Sequence, residues 1–275
     1  MHLLHHLFEI KAFRRPNAIK LRRKERRLQR AVETEFEKQK NHILKELKKI
    51  LLKKARTSPA VLIKYREHFR KSDESTADNI FDGMEDLNNA LEGEIIDQSG
   101  ETITFGAKYR IEKMKLAKYG ISFDLNHPLA IKYLQETRPL ILSSLPETTK
   151  RLIKPILVNA ISTGASYNET AKLIAENYAL STERATMIAV NEIGSAYEVG
   201  NMCPMWDINQ IEGFESIKHW QTVNDDRVTE ECMANQEEGW LNVEEPFASG
   251  DLTAPRVSNP KCRCTVLYEV KTVKD

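Results

Sequence analysis

The sequence has no long apolar run. No stretch of its 275 residues approaches the roughly 18 apolar residues of a bilayer-spanning helix, and 29% of the residues are charged. The opening MHLLHHLFEI has His in place of Lys or Arg ahead of its apolar residues and no small-residue cleavage site, unlike a signal peptide. We therefore expect a soluble globular protein with no membrane partner.

Cysteine is scarce as well. Four Cys in a chain of this length do not make the disulfide framework of a small secreted domain, so a reducing cytoplasm is expected. The sequence also lacks a P-loop, a Gly-rich phosphate loop and a Ser-His-Asp arrangement. These absences favour a structural or binding protein over an enzyme.

The net charge of +1 hides a strong asymmetry. Residues 11–56 contain 18 Lys and Arg against 5 Glu, whereas residues 201–275 contain 14 acids and 7 bases. A chain that is basic at one end and acidic at the other usually presents each end to a different partner.

The basic segment contains no Gly, and no Pro after Pro16. Its apolar residues recur at helical spacing and predict one helix of roughly 35–40 residues with a narrow, coiled-coil-like stripe. So thin a stripe must pack against another chain, the following helices or a polyanion. The stripe residues are Leu21, Leu28, Val32, Phe36, Ile43, Leu47 and Ile50.

The basic face of this helix has two open interpretations. It is either a solvated charged face, or a surface that contacts DNA phosphates or an acidic partner. Aromatic residues are nearly absent, which argues against stacking on single-stranded bases. The candidate contact residues are Arg22, Arg23, Lys24, Arg26, Arg27 and Arg30.

Residues 73–125 are polar and acidic and contain Gly83, Gly93 and Gly100, so we expect a linker region with short elements. Helices follow over 126–200, and their ends are marked by capping and breaking residues. We expect starts at Asn126, Ser166 and Ser181, a bend or a break near Pro155, and ends at Gly164 and Gly200.

After Gly200 the pattern changes to strands. SIKHWQTV and CTVLYEVKTV are rich in β-branched and aromatic residues, while NDDRV and EEPFASGDLTAPRVSNP have the composition of loops. The predicted fold class is α+β and mostly helical. A basic helical arm (1–72) and the linker region (73–125) precede a domain (126–275) made of helices (126–200) and a small antiparallel sheet with long loops (201–275).

Several short motifs in the C-terminal half occur in a recognisable order. They are RATMIAVNEIGSAYEVG, HWQTVNDDRVTEEC, EEGWLNVEEPF and APRVSNPKCRCTV. In this order they resemble the phage head morphogenesis family, the minor head proteins similar to protein F of phage Mu. The resemblance covers roughly 126–270, and the basic helix lies outside its motif-bearing part.

Three cysteines near the end of the chain are candidate metal ligands: Cys232, Cys262 and Cys264. Relative to the family's pattern, Thr229 and Asn259 stand where many members have a Cys and a His. A fourth zinc ligand would have to be Cys203, His219 or Asp226. Three alternatives stay open: a zinc site, a cluster of buried reduced thiols, and a disulfide.

The motifs also contain residues for which we expect structural roles. These are Arg184, Glu192, Trp220, Asp226, Arg227 and Arg263. An Arg263–Glu192 pair is expected to join helix and sheet, because a Glu among small apolar residues needs a partner when it is buried. Arg227 is expected to hold its loop in place.

The resemblance implies a minor head protein that enters the procapsid, associates with the portal region and contacts packaged DNA. It would be found in the host cytoplasm during assembly and then in the virion, and would require no cofactor. The alternative is a metal-dependent nuclease or processing enzyme built on His219, Asp226 and the three cysteines. A third possibility is an adaptor that belongs to no virion.

Overall fold

The computed structural model describes residues 17–55, 66–82, 84–163, 165–226, 228–254 and 262–273. The expectations for MHLLHHLFEI, Gly164 and Arg227 lie outside these residues. Within them the chain forms eight α-helices and a three-stranded antiparallel sheet, which confirms the mostly helical α+β class. The elements are α1 Ala18–Ala55, α2 Arg66–Asn79, α3 Met84–Met114, α4 Pro128–Lys132, α5 Arg138–Thr163, α6 Tyr167–Ala175, α7 Thr182–Asn209, β1 Phe214–Gln221, α8 Glu230–Glu237, β2 Trp240–Asn242 and β3 Thr265–Thr272.

The long basic helix is confirmed as α1, which has 38 residues. Its predicted apolar stripe is buried from Leu21 to Leu47. Ile43 and Leu47 pack in one apolar cluster with Ile153 and Leu157 of α5. The stripe is therefore covered by other parts of the same chain, and the helix does not need a second chain to bury it.

The expectation of short elements over 73–125 is wrong. Most of this stretch is the 31-residue helix α3, which continues through Gly93, Gly100 and Gly106. Tertiary packing outweighs the low helix propensity of Gly in this helix. At Gly106, for example, a Cβ would lie 2.4 Å from the carbonyl oxygen of Tyr197, so the missing side chain permits a close backbone approach.

The expected cap of α4 is off by one residue. The cap is His127, whose Nδ1 accepts a hydrogen bond from the Leu129 N–H at 3.2 Å, while the Asn126 N–H donates to Asp124 in a turn. The helix is not broken near Pro155, because α5 continues to Thr163, and a bend there stays a prediction. Ile153 and Leu157, buried on either side of Pro155, stabilise the uninterrupted helix.

Two other predicted caps are confirmed. The Ser166 Oγ accepts a hydrogen bond from the Glu169 N–H at 3.2 Å, and Ser181 accepts one from the Arg184 N–H at 3.1 Å. Helix α7, which follows Ser181, does not end at Gly200 as expected but continues to Asn209. A Cβ on Gly200 would lie 2.1 Å from the Ile103 carbonyl oxygen, so this Gly serves helix packing and not termination.

The sheet contains both predicted strands and a short third one. Its order is β2-β1-β3, with Trp220 of β1 opposite Val266 of β3 and His219 opposite Trp240 of β2. Helix α8 follows the first of the two predicted loops, and the Thr229 hydroxyl caps its first turn.

The packing divides the chain into two compact units, each made of separated segments. The described parts of Met1–Arg26, Ile96–Gln135 and Ala189–Asp275 form one unit, and Arg27–Ile95 with Glu136–Ile188 form the other. The first contains the sheet and a core around Met205, Trp220 and Phe247. The second contains the cluster of Ile43, Ile80 and Ile153. No helix in the described ranges is long and apolar enough to span a bilayer.

Candidate functional site

The three cysteines predicted as metal ligands lie together. Cys232 is on the first turn of α8, and Cys262 and Cys264 lie immediately before β3. Their sulfur atoms are all within 4.8 Å of one another, and those of Cys232 and Cys262 are 3.8 Å apart. The exposed fractions are 1%, 7% and 2% for Cys232, Cys262 and Cys264, so the cluster is closed to bulk solvent.

Local interactions explain why the thiols converge. The Thr229 hydroxyl, which stands where the family pattern has a Cys, accepts a hydrogen bond from the Cys232 N–H and starts α8. On the other side, Cys262 and Cys264 are two residues apart in the segment that leads into β3, with the half-exposed Arg263 between them. This alternation places both thiols in the core.

The Arg263 side chain has a different partner from the expected one. Its Nη2 donates to both carboxylate oxygens of Asp225 at 2.6 Å, so the expected Arg263–Glu192 pair is wrong. Glu192 is buried and accepts a hydrogen bond from the Tyr133 hydroxyl at 3.4 Å. The physical reason is that successive side chains alternate in direction: Cys262 and Cys264 face the core, so Arg263 between them faces outward. There it reaches Asp225, and the ion pair joins the loop that carries Asp225 to the segment that carries the two cysteines.

Trp220, which was expected in a strand and lies in β1, belongs to the same buried cluster as the three cysteines. Its side chain has no solvent exposure and packs edge-on against Phe247, with the ring centroids 5.0 Å apart. The indole of Trp220 acts to lower the pKa of the Cys264 thiol. Opposing effects are stronger: hydrogen bonding with Cys262 and burial raise the pKa of the Cys264 thiol, and burial raises the pKa of Cys232. Without an ion, these thiols stay protonated at neutral pH.

The other candidate zinc ligands are not part of the cluster. Among the described residues, no further Cys, His, Asp or Glu joins the three thiols. The His219 Nδ1–H donates to the Gly239 carbonyl at 2.9 Å, Asp226 is exposed, and Cys203 lies in a separate apolar cluster. The five-residue centre required by the nuclease alternative is therefore not assembled in the described structure.

Arg184, at the start of α7, is buried and bonded inside the protein. It is 3% exposed, donates to the Thr149 hydroxyl at 3.0 Å and to the Ala179 carbonyl, and lies over the Phe36 ring. Burial lowers the pKa of its guanidinium to about 10, so the group stays charged at neutral pH. Its hydrogen bonds join α5 and the turn before α7.

The predicted contact residues of α1 are mostly exposed. Lys24 and Arg27 form ion pairs with Glu101 and Glu94, at 3.0 and 3.2 Å. Within the described residues, the structure gives no ion pair to the side chains of the other four. These four, which we call the arginine face, are Arg22, Arg23, Arg26 and Arg30. Their charges are available to an anionic partner.

One buried polar residue was missed in the sequence. Lys218 of β1 has no solvent exposure, donates from Nζ to the Leu252 carbonyl at 2.8 Å, and lies over the Phe247 ring. The signal was available, because Lys218 and Trp220 are two residues apart in a strand and therefore share a face. A Lys in a short strand is usually expected to face solvent, but the Lys218 side chain is buried.

Comparison with known proteins finds a family model that matches part of the chain. Residues 152–267 match the family model described as Phage Mu protein F like protein. Over that range the chain is similar to phage Mu protein F-like proteins. The matched range contains all three thiols, Trp220 and the Asp225–Arg263 pair, whereas the arginine face lies outside it. No curated protein and no solved structure matches the chain.

Proposed function

We propose that this phage Mu F-like protein is a minor component of the phage head, which joins the procapsid near the portal and stays in the virion. The observation that carries this proposal is the family match over 152–267. The buried polar contacts of the matched region also support it. Arg184 and Glu192 bond inside the protein, as scaffold residues do, and neither faces a solvent-filled cleft.

We further propose that the two ends of the chain have different partners. The acidic C-terminal part, with twice as many acids as bases over 201–275, would dock on portal or procapsid proteins. The arginine face of α1 would contact packaged DNA. Its spacing supports this, because Arg22, Arg26 and Arg30 are each four residues apart and follow one side of the helix.

The test is quantitative mass spectrometry of purified virions and, separately, of procapsids from the phage that encodes the chain. The proposal predicts a few to some tens of copies per particle in both samples, with chemical crosslinks to the portal protein enriched over crosslinks to the major capsid protein. The major capsid protein is the internal standard for copy number.

Three results would contradict the proposal. Absence of the protein from both particle types would exclude a head component. Presence with crosslinks spread evenly over the capsid shell would retain the head assignment and exclude the portal as the partner. A protein found in procapsids and missing from virions would be an assembly factor and would contradict the virion location.

A further inference from the structure

We infer that Cys232, Cys262 and Cys264 form a binding site for one thiophilic metal ion, and that the ion is Zn²⁺. This inference concerns only the region around the sheet, and it stands or falls separately from the proposal about the phage head. It depends on three observations: the spacing of the sulfur atoms, the indole N–H beside them, and the closed apolar shell.

The spacing already suits a metal ion. Zn–S bonds of about 2.3 Å place two thiolates on a tetrahedral ion roughly 3.8 Å apart. The Cys232 and Cys262 sulfurs are 3.8 Å apart, and no pair in the cluster exceeds 4.8 Å. An ion at the centre therefore needs only small movements of the thiols, and both Cys262 and Cys264 lie in the segment before β3 and not within the ladder.

The Trp220 side chain supplies a second, independent observation. Its indole nitrogen is fully buried and has no oxygen or nitrogen acceptor among the described residues. An unpaired buried donor costs free energy unless it finds an acceptor. The nearby Cys264 sulfur becomes a strong acceptor when it is a metal-bound thiolate. Such donors to a ligating atom are typical of the groups that surround metal sites in proteins.

Charge favours Zn²⁺ over Cu(I). Three thiolates leave one net negative charge around Zn²⁺ and two around Cu(I), and net charge is costly in an apolar shell. Arg263, the cation that stands between Cys262 and Cys264 in the chain, is already paired with Asp225. Three protein ligands leave the fourth position of Zn²⁺ to a non-protein ligand. The segment 255–261, which lies outside the described residues, contains no Cys, His, Asp or Glu.

A bound ion would tie together elements that are far apart in the sequence. Cys232 is on α8, and Cys262 and Cys264 are thirty residues later. Between them lie β2 and the long loop that carries Phe247. One ion would therefore close the ends of this loop-rich stretch on each other, which stabilises the folded state by restricting the unfolded one.

The experiment uses the full chain, purified under reducing conditions, loaded with Zn²⁺ and desalted. Zinc is measured by elemental analysis, the intact mass is recorded without reductant, and Co²⁺ replaces Zn²⁺ for absorption spectroscopy. We expect one zinc per chain, a thiolate-to-cobalt charge-transfer band, and a higher thermal midpoint with metal. Cys232→Ser and Cys264→Ser should each reduce retained zinc at least about tenfold.

Cys203 provides the matched control, because it is equally buried and lies in another apolar cluster. Cys203→Ser should retain one zinc. The wild-type cobalt spectrum keeps the test decisive even if a Ser variant does not fold. Wild-type protein without stoichiometric zinc or a charge-transfer band, retention of Cu(I) with loss of Zn²⁺, or an intact mass showing a disulfide in fresh protein would each overturn the inference.

Discussion

At the scale of single residues, Lys218 is the most unusual group in the described structure. Burial lowers the pKa of its ammonium to about 8, from its usual 10.5. Among the described residues its hydrogen-bond acceptor is the Leu252 carbonyl, and the Phe247 ring covers the charge at 4.8 Å. Burying this charge costs free energy, and that cost falls on the strand that carries Lys218.

Replacing this residue with Met should change the pH dependence of stability. Between pH 8 and 10.5 the unfolded chain binds a proton at Lys218 that the folded chain does not bind, so the unfolding free energy rises with pH. Across this window we expect the unfolding free energy of the wild type to rise relative to that of Lys218→Met, by at most roughly 3 kcal/mol. Below pH 8 the difference should be constant.

Denaturant unfolding at pH 7, 8, 9 and 10 measures this difference. The control is Lys271→Met on β3, an exposed Lys in the same sheet, which should leave the pH profile parallel to that of wild type. Parallel profiles for Lys218→Met as well would show that Lys218 stays fully charged in the folded protein and would refute the prediction.

At the scale of elements, two glycines allow α3 and α7 to touch. A Cβ on Gly200 would lie 2.1 Å from the Ile103 carbonyl oxygen, and one on Gly106 would lie 2.4 Å from that of Tyr197. In both cases the obstacle is backbone, which cannot turn aside as a side chain can. This contact explains why two helix-breaking residues occur inside two long helices.

Gly200→Ala should therefore destabilise the protein by about 1–3 kcal/mol or more, since the helices must separate. The same change at Gly93, which is exposed on α3 with nothing within 4 Å of an added Cβ, should stabilise it by about 0.5–1 kcal/mol. The two variants carry the same chemical change in opposite surroundings. Equal effects in thermal or denaturant unfolding would show that helix propensity and not packing decides both.

At the scale of the whole molecule, the uneven charge of the chain predicts salt-dependent DNA binding. If each residue of the arginine face contacts one phosphate, the logarithm of the binding constant should fall against log salt with a slope of roughly −3 to −4. Replacing Arg22, Arg23, Arg26 and Arg30 with Gln should flatten the slope by about the same amount, without regard to DNA sequence.

A second variant, with the same net charge as the four-arginine variant, separates the effect of the arginine face from the effect of total charge. Lys108, Lys113, Lys115 and Lys118 are exposed on or just after α3, and their replacement with Gln also removes four positive charges. Fluorescence anisotropy with a short duplex across a salt series should give a slope near that of wild type for this variant. If the two variants lose binding equally, or if wild type does not bind at low salt, the arginine face is not a DNA surface.

Local sequence patterns were sufficient to predict the structure where a single short-range interaction decides it. The apolar spacing of α1 predicted its length and its buried side, since a helix must hide its stripe. The caps at Ser166 and Ser181 followed from single hydroxyls that satisfy free N–H groups. The convergence of Cys232 with Cys262 and Cys264 followed from motif order, and the metal in the site stays a prediction. The division of the chain into three domains also stays a prediction.

The sequence by itself determined the mostly helical α+β class, the similarity of residues 152–267 to phage Mu protein F-like proteins, the basic helix and the identity of the three thiols. Only the tertiary structure decided that α3 and α7 run through their glycines, that Arg263 pairs with Asp225 and not Glu192, and that Lys218 is buried. The physical reason is common to all three. Each depends on which atoms lie opposite in space, and a contact between residues far apart in the sequence leaves no periodic trace in the chain.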